Sequence, residues 1–243
     1  FTTIIHLASL LNTASRKYPK QATEINISGS LNILEAASKF GVSKEIYGSS
    51  ISVYGSRSPH NEAGVLETEP AAPEDIYGAA KRYVEISGDI YHRQYGIQFI
   101  SLRIASVIGP GAVKTDSRWR SDIIEKPGRS DPAEISIPYE KEAILPFVYV
   151  EDLAKMFECL VDAERPKFTV YNTPAETWVL NDLAKYLTSI DDNLSIKFGQ
   201  SSVTGIPRVI NAHRFGAEFN FCTTTLKERL NHISLLNKSI NSC

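Results

Sequence analysis

Tyr47-Gly48-Ser49-Ser50-Ile51-Ser52-Val53-Tyr54-Gly55 closes one strand, and Ile76-Tyr77-Gly78-Ala79-Ala80-Lys81 opens one helix. The reading of these two segments decides the fold. Residues 45–48 carry the strand, and the small residues after it give its exit. Glu74 and Asp75 put acid where the next helix begins, which suits the helix dipole. That helix is predicted to run over 76–95 and to stop at Gly96. Residues 97–104, rich in β-branched and aromatic side chains, return as a strand. Working outward, Ile4, Ile5 and Leu7 form a short apolar strand without alternation, as expected for one buried on both faces. Residues 22–40 place Ile25, Leu31, Ile33, Leu34, Ala37 and Phe40 at helical spacing before Gly41. Further on, 151–163, 180–190 and 226–233 read as helices and 168–171 as a strand, while 112–143 has weak periodicity. This alternation predicts an α/β protein with a parallel sheet and helices on both faces.

On a helix, Tyr77 and Lys81 share a face one turn apart. A free tyrosine, with a pKa of roughly 10, is a poor base near neutrality. An ammonium beside it favours the phenolate. A strand-end serine can hold a substrate oxygen while the tyrosine moves the proton. Such a set suits oxidation of an alcohol or reduction of a carbonyl.

Composition excludes other classes. The 243 residues carry 26 basic and 28 acidic side chains, so no electrostatic footprint for nucleic acid exists. The 3 cysteines are scattered and fit neither a disulfide framework nor a zinc site. The 5 histidines are far apart, so no metal is expected. No apolar run approaches the roughly 20 residues that span a bilayer. No basic stretch precedes an apolar one at the start of the chain, and a cytoplasmic location is expected.

Six ordered segments carry a resemblance to a known family. They are His6-Leu7-Ala8-Ser9, the helix with Asn26, the serine strand, Tyr77 with Lys81, Leu102-Arg103-Ile104-Ala105-Ser106-Val107-Ile108-Gly109-Pro110-Gly111, and Phe147-Val148-Tyr149-Val150-Glu151-Asp152. Together they resemble the extended short-chain dehydrogenase/reductase superfamily, in its NAD-dependent epimerase/dehydratase group. The resemblance implies a Rossmann-like doubly wound parallel sheet with a small C-terminal substrate-capping lobe. It implies a partial dinucleotide-binding domain over 1–110, then a mixed region over 111–243 in which capping segments and returning Rossmann elements alternate. Ser50, Tyr77 and Lys81 fall on the catalytic positions, with Ser49 as second choice for the hydroxyl. His6, Leu7, Ala8, Ser9, Asn26, Ser49, Tyr77, Lys81, Ile104 and Val107 are the expected cofactor-binding residues, for NAD or NADP. A small-molecule substrate and a homodimer, paired through the helices around 22–40 and 76–95, are implied as well. The first residues correspond to the family's fourth strand, and no Gly-x-Gly-x-x-Gly occurs in the sequence. The chain is therefore expected to be an N-terminally truncated fragment with an open sheet edge. The alternative is a degenerate member that acts as a binding protein.

The same resemblance speaks to the substrate. Nucleotide-sugar members usually carry an asparagine where Ser106 stands and an arginine where Leu145 stands, both as phosphate partners. Buried phosphate charge without partners is costly. Ser9-Leu10-Leu11, Thr115-Asp116 and the segment from Leu145 to Asp152 instead look like the L-threonine 3-dehydrogenase branch and its small-substrate relatives. A small polar alcohol, sugar or sugar acid is the expected substrate, with a nucleotide sugar as the alternative. Ser52, Ser106, Arg118 and Arg120 are the substrate-side candidates. Lys114, Arg118 and Arg120 surround Trp119 either as a clamp for carboxylate or phosphate or as a solvated basic turn.

Overall fold

The computed structural model describes residues 2–56, 63–113 and 115–240. The chain divides into two compact units that interleave along the sequence. The first comprises Phe1–Ala105, Leu153–Pro174 and Thr204–Phe221, and the second Ser106–Asp152, Ala175–Val203 and Cys222–Cys243. The chain first crosses between the units after Ala105 and then returns twice to the first unit.

The first unit is built on a parallel four-stranded sheet. It begins with β1 (Thr3–His6), α1 (Asn12–Lys17), α2 (Pro19–Thr23), a π-helical turn (Glu24–Gly29) and α3 (Ser30–Lys39). Then come β2 (Lys44–Ser50), a 3-10 turn (Ile51–Tyr54), α4 (Ile76–Tyr95) and β3 (Gln98–Ile104). α6 (Val150–Asp162) enters the unit at Leu153, followed by β7 (Val170–Asn172) and α8 (His213–Phe219). Strand order is β1-β2-β3-β7, every pair parallel.

Strand alternation assigns the two faces. On one face Tyr47 and Phe99 pack with Leu34 of α3 and Val84 of α4, and Ile4 joins Ala37, Val42 and Ile97. On the other, Ile5 and Leu7 line a groove with Ala154, Phe157 and Val161 of α6. Lys44, on that side of β2, donates to the carbonyls of Leu160, Val161 and Ala163 at 3.0, 2.7 and 2.6 Å. These are orphan carbonyls at a helix C-terminus, where a cation is favoured.

Glu45 breaks the pattern. It is fully buried on the α3–α4 face, and neither carboxylate oxygen meets a hydrogen-bond partner among the described residues. Burial alone pushes its carboxyl up to about 7. The unfolded chain ionises this group from its ordinary value of 4.5, so stability falls as pH rises from there towards 7 and then levels. Glu45→Met is therefore expected to stabilise the fold by on the order of 2–3 kcal/mol near about pH 8 and by little near about pH 4. Denaturant melts at both pH values test this, and a variant less stable than its parent at the higher pH would refute it.

The second unit holds β4 (Ser106–Ile108), α5 (Arg118–Glu125), β5 (Ala133–Tyr139), β6 (Ile144–Tyr149), β8 (Glu176–Val179), α7 (Leu180–Ile190), β9 (Leu194–Ser201) and α9 (Leu226–Ile240). β6 pairs parallel with β4 and antiparallel with β8, while β5 and β9 form a separate parallel pair. Trp119 is core, edge-on to Tyr139 and Phe147 at 6.0 and 6.2 Å. Arg229 of α9 holds Asp152 at 2.6 Å and lies over the Tyr149 ring. The weakly periodic 112–143 thus contains α5 and β5, and the terminal helix extends to Ile240 rather than 233.

Candidate active site

The carboxyl ends of β1, β2 and β3 lie side by side, with His6 beside Tyr47 and Ser50 beside Ile104. This is the end of an open parallel sheet at which ligands bind. At the end of β2 the chain turns sharply. Ser50 Oγ accepts the Ser52 backbone N–H at 3.1 Å, capping the 3-10 turn, and donates to Ser52 Oγ at 3.1 Å.

α4 is brought to that turn by its own N-terminus. The Asp75 carboxylate accepts the Gly78 N–H at 2.8 Å as N-cap, and it also holds Asn12 and Arg16. Gly78 lies against the Ser52 carbonyl, where a Cβ would come within 2.4 Å. Only glycine allows this approach, and it sets Tyr77 beside Ser50. The Ser50 hydroxyl acts on the Tyr77 phenol in the direction that lowers its pKa.

Lys81 follows one turn later and is buried. Its Nζ donates to the Gly48 carbonyl at 2.7 Å and stands 5.5 Å from the Tyr77 ring centre and 4.7 Å from that of Tyr47. Burial lowers the Lys81 ammonium to about 8, against the raising influence of Glu85. Tyr77 is half-buried as a whole, but its hydroxyl sits deep, and burial pushes the phenol up to about 12. The expected fall in the Tyr77 pKa is thus reversed here. The ammonium is directed at a backbone carbonyl, and desolvation outweighs the lowering influence of the Ser50 hydroxyl.

The loop after β1 is shaped by Asn26. This residue is 1 % exposed, in the π-helical turn. Its Oδ1 accepts from Leu10 N at 2.7 Å and Ser9 Oγ at 3.1 Å, and its Nδ2 donates to Leu10 O at 2.9 Å. Its own carbonyl accepts Ser30 Oγ at 2.8 Å, and Ser30 in turn meets His6 Nε2 at 2.9 Å. π turns are frequent at functional sites. Asn26, one of the expected cofactor residues, engages both ends of its amide with the 9–10 loop.

Other expected residues divide by position. Leu7 is 54 % exposed, and its Cδ2 lies where a Cβ on Gly48 would come within 2.6 Å, with Ile104 Cδ1 at 3.5 Å from the same point. Gly48, Leu7 and Ile104 therefore make an apolar floor at the strand ends, and Ala8 is exposed beside it. Ser49 points to the opposite face and donates to Glu85 at 2.7 Å, so its hydroxyl is not beside Tyr77. Ser106 and Val107 lie in β4 of the second unit, as do Arg118 and Arg120 in α5. Arg118 is engaged by Asp122 and Glu125 of its own helix, which removes it as a free anion clamp. Arg120 lies over the Trp119 ring at 5.4 Å, and burial lowers its pKa against the raising influence of Tyr139. Lys114 is outside the described residues. The fifteen expected residues do not include the buried Glu85–Arg103 pair, which underlies the site at 2.8 Å. The spacing of Tyr77, Lys81 and Glu85 at intervals of four was its signal in the sequence.

Among the described residues no group of three or more metal-ligating side chains occurs, and no helix is long and apolar enough to cross a membrane. A hydroxyl, a phenol and a buried ammonium placed in this way can bind an alcohol or carbonyl oxygen and pass a proton to or from it.

The model of the NAD-dependent epimerase/dehydratase family matches residues 1–173. The mitochondrial L-threonine 3-dehydrogenase of Bos taurus is 26 % identical over 208 residues, covering 83 % of this chain and 54 % of that protein. A UDP-glucuronate 4-epimerase from Thermodesulfobacterium geofontis is 30 % identical over 158 residues, covering 63 % of this chain and 45 % of its own length. The chain thus spans about half the length of these curated relatives. Among solved structures, L-threonine dehydrogenase from Phytophthora infestans shares the fold at a TM-score of 0.85 and 21 % identity, over 98 % of this chain and 79 % of that one. UDP-glucuronic acid 4-epimerase from Bacillus cereus does so at 0.80 and 21 %, over 98 % and 76 %.

Proposed function

We propose that this chain, which belongs to the NAD-dependent epimerase/dehydratase family, is part of an NAD(P)-dependent oxidoreductase that oxidises a small polar alcohol. The observation that carries this reading is the placement of Tyr77 beside Ser50 at the carboxyl ends of parallel strands, with the buried Lys81 one turn on. Ser50 would hold the substrate oxygen. Tyr77, as the phenolate stabilised by the Lys81 charge, would take the hydroxyl proton and become the phenol; in the reverse direction the phenol would give that proton back.

The residues fit the nicotinamide-ribose end of a dinucleotide. The Leu7–Ile104 floor over Gly48 offers an apolar surface. An ammonium has three donors, and among the described residues Lys81 spends one on Gly48, which leaves donors for ribose hydroxyls. When bound, NAD or NADP supplies the hydride acceptor.

For the substrate, a small alcohol such as L-threonine is favoured over a nucleotide sugar. Leu145, at the place of an expected phosphate partner, is 1 % exposed in β6, where it packs rather than binds anions. The test is oxidation of L-threonine and of simple sugar alcohols by the purified protein with NAD or NADP, beside UDP-glucose and UDP-galactose. Turnover of a small alcohol is expected. Epimerisation of either UDP-hexose would return the nucleotide-sugar reading to first place.

We propose pairing with a second copy through the outer face of α4. Tyr83, Ile86 and Ile90 follow at helical spacing and are 48, 47 and 38 % exposed. Ile86→Glu is expected to shift the sedimentation coefficient from dimer to monomer. An unchanged monomer in both proteins would dismiss the pairing.

A further inference from the structure

Glu85 lies one turn beyond Lys81 on the face of α4 that also carries Tyr77. Its carboxylate is buried and accepts four hydrogen bonds. Ser49 Oγ of β2 donates at 2.7 Å, Arg103 of β3 through Nε at 2.9 Å and Nη2 at 2.8 Å, and Arg82 at 3.0 Å. The Arg103 fork is bidentate, the geometry with the strongest directional hold on a carboxylate. Arg103 is fixed from behind by the Tyr54 hydroxyl at 2.8 Å.

We propose that Glu85 is a positioning residue for the Tyr77–Lys81 pair: it clamps that face of α4 to β2 and β3 and supplies the buried negative charge that keeps the Lys81 ammonium protonated. This role rests on the dehydrogenase reading of Tyr77 and Lys81. The groups facing Lys81 are Tyr77 and Glu85 of α4, Tyr47 of β2 and His6 of β1. Those facing Glu85 are Arg103 of β3, Arg82 of α4, and Ser49 and Tyr47 of β2. Burial raises both phenols and lowers His6, so these three are neutral near pH 7. Glu85 is the anion of the set, held below the ordinary carboxylate range by its partners despite burial. Its removal leaves Lys81 with desolvation and, at longer range, the uncompensated charge of Arg103. Both disfavour the ammonium.

The experiment titrates the Lys81 side chain by NMR in the parent and in Glu85→Gln. The Lys81 midpoint, about 8 in the parent, is expected to fall by about one pH unit or more in Glu85→Gln. The alkaline limb of the pH–rate profile should move down with it. Glu85→Gln with Arg103→Met leaves no buried arginine alone, and a smaller fall in the same direction is expected. An unmoved Lys81 midpoint in either folded variant overturns the proposal. In the parent itself, the Glu85 carboxyl carbon must report an ionised group throughout the Lys81 titration, and a protonated Glu85 near neutral pH overturns it even if neither variant folds. The Lys81 titration needs no turnover. A protein inactive on every alcohol therefore sinks the dehydrogenase reading, whereas an unmoved Lys81 in an active enzyme sinks the role of Glu85 alone.

Discussion

Tyr77→Phe is expected to lower turnover by about two to four powers of ten, the range that general acid–base catalysis supplies. The substitution removes one oxygen and keeps the ring that stands 5.5 Å from Lys81 Nζ. Packing around Lys81 and the cation over that ring are preserved, so cofactor affinity should change little. On the proposed reading the phenol is the acid/base beside the Ser50 hydroxyl, so the loss belongs to the chemical step. Ser50 remains able to bind an oxygen, but it lacks a partner to move the proton. Burial holds the free phenol at about 12. The phenolate that would take the proton therefore depends on the Lys81 charge for its stability. Steady-state kinetics with saturating substrate measures the effect, and turnover equal to the parent would remove Tyr77 from the reaction.

The parts legible in sequence were those with local causes. α4 runs over the predicted 76–95 because Asp75 caps it and Gly96 ends it in the left-handed conformation. β3 follows from a run of apolar side chains, and the shared face of Tyr77 and Lys81 follows from helical period. The start of the Asn26 helix was misjudged. Helix already begins at Asn12, and Pro19 sits at the first position of α2, where a missing N–H costs nothing. The π turn at Glu24–Gly29 has no local signature, since its support is the tertiary bond between Asn26 and Leu10. β5 did leave a trace: Ile135 and Ile137 are buried and alternate with exposed Glu134, Ser136 and Pro138. Its partner β9, about sixty residues on, could not be read from any period. The direction of the Tyr77 shift was out of reach for the same reason. It depends on where Lys81 Nζ points, and Gly48 O is distant in sequence.

Arg103→Met should be the most damaging single change to stability, costing about 3–5 kcal/mol at neutral pH. Arg103 is 3 % exposed, and its guanidinium bonds Glu85 twice, the Tyr54 hydroxyl and the Glu67 carbonyl. Methionine fills much of the space but makes none of these bonds. Glu85 would keep Ser49 and the partly exposed Arg82, which do not neutralise a buried carboxylate as a bidentate arginine does. The pH dependence separates this cause from simple mispacking. In the parent the folded Glu85 pKa lies below its unfolded value, so the pair stabilises at neutral pH and that contribution is lost as pH falls through the folded pKa. In the variant, burial acts on Glu85 without its main counter-ion and moves its pKa upward. The variant therefore regains stability relative to the parent as pH falls and Glu85 takes up a proton. Denaturant melts from neutral to mildly acid pH should show the gap narrowing. A gap of constant size across that range would mean that lost packing, not the stranded carboxylate, is what Arg103 prevents.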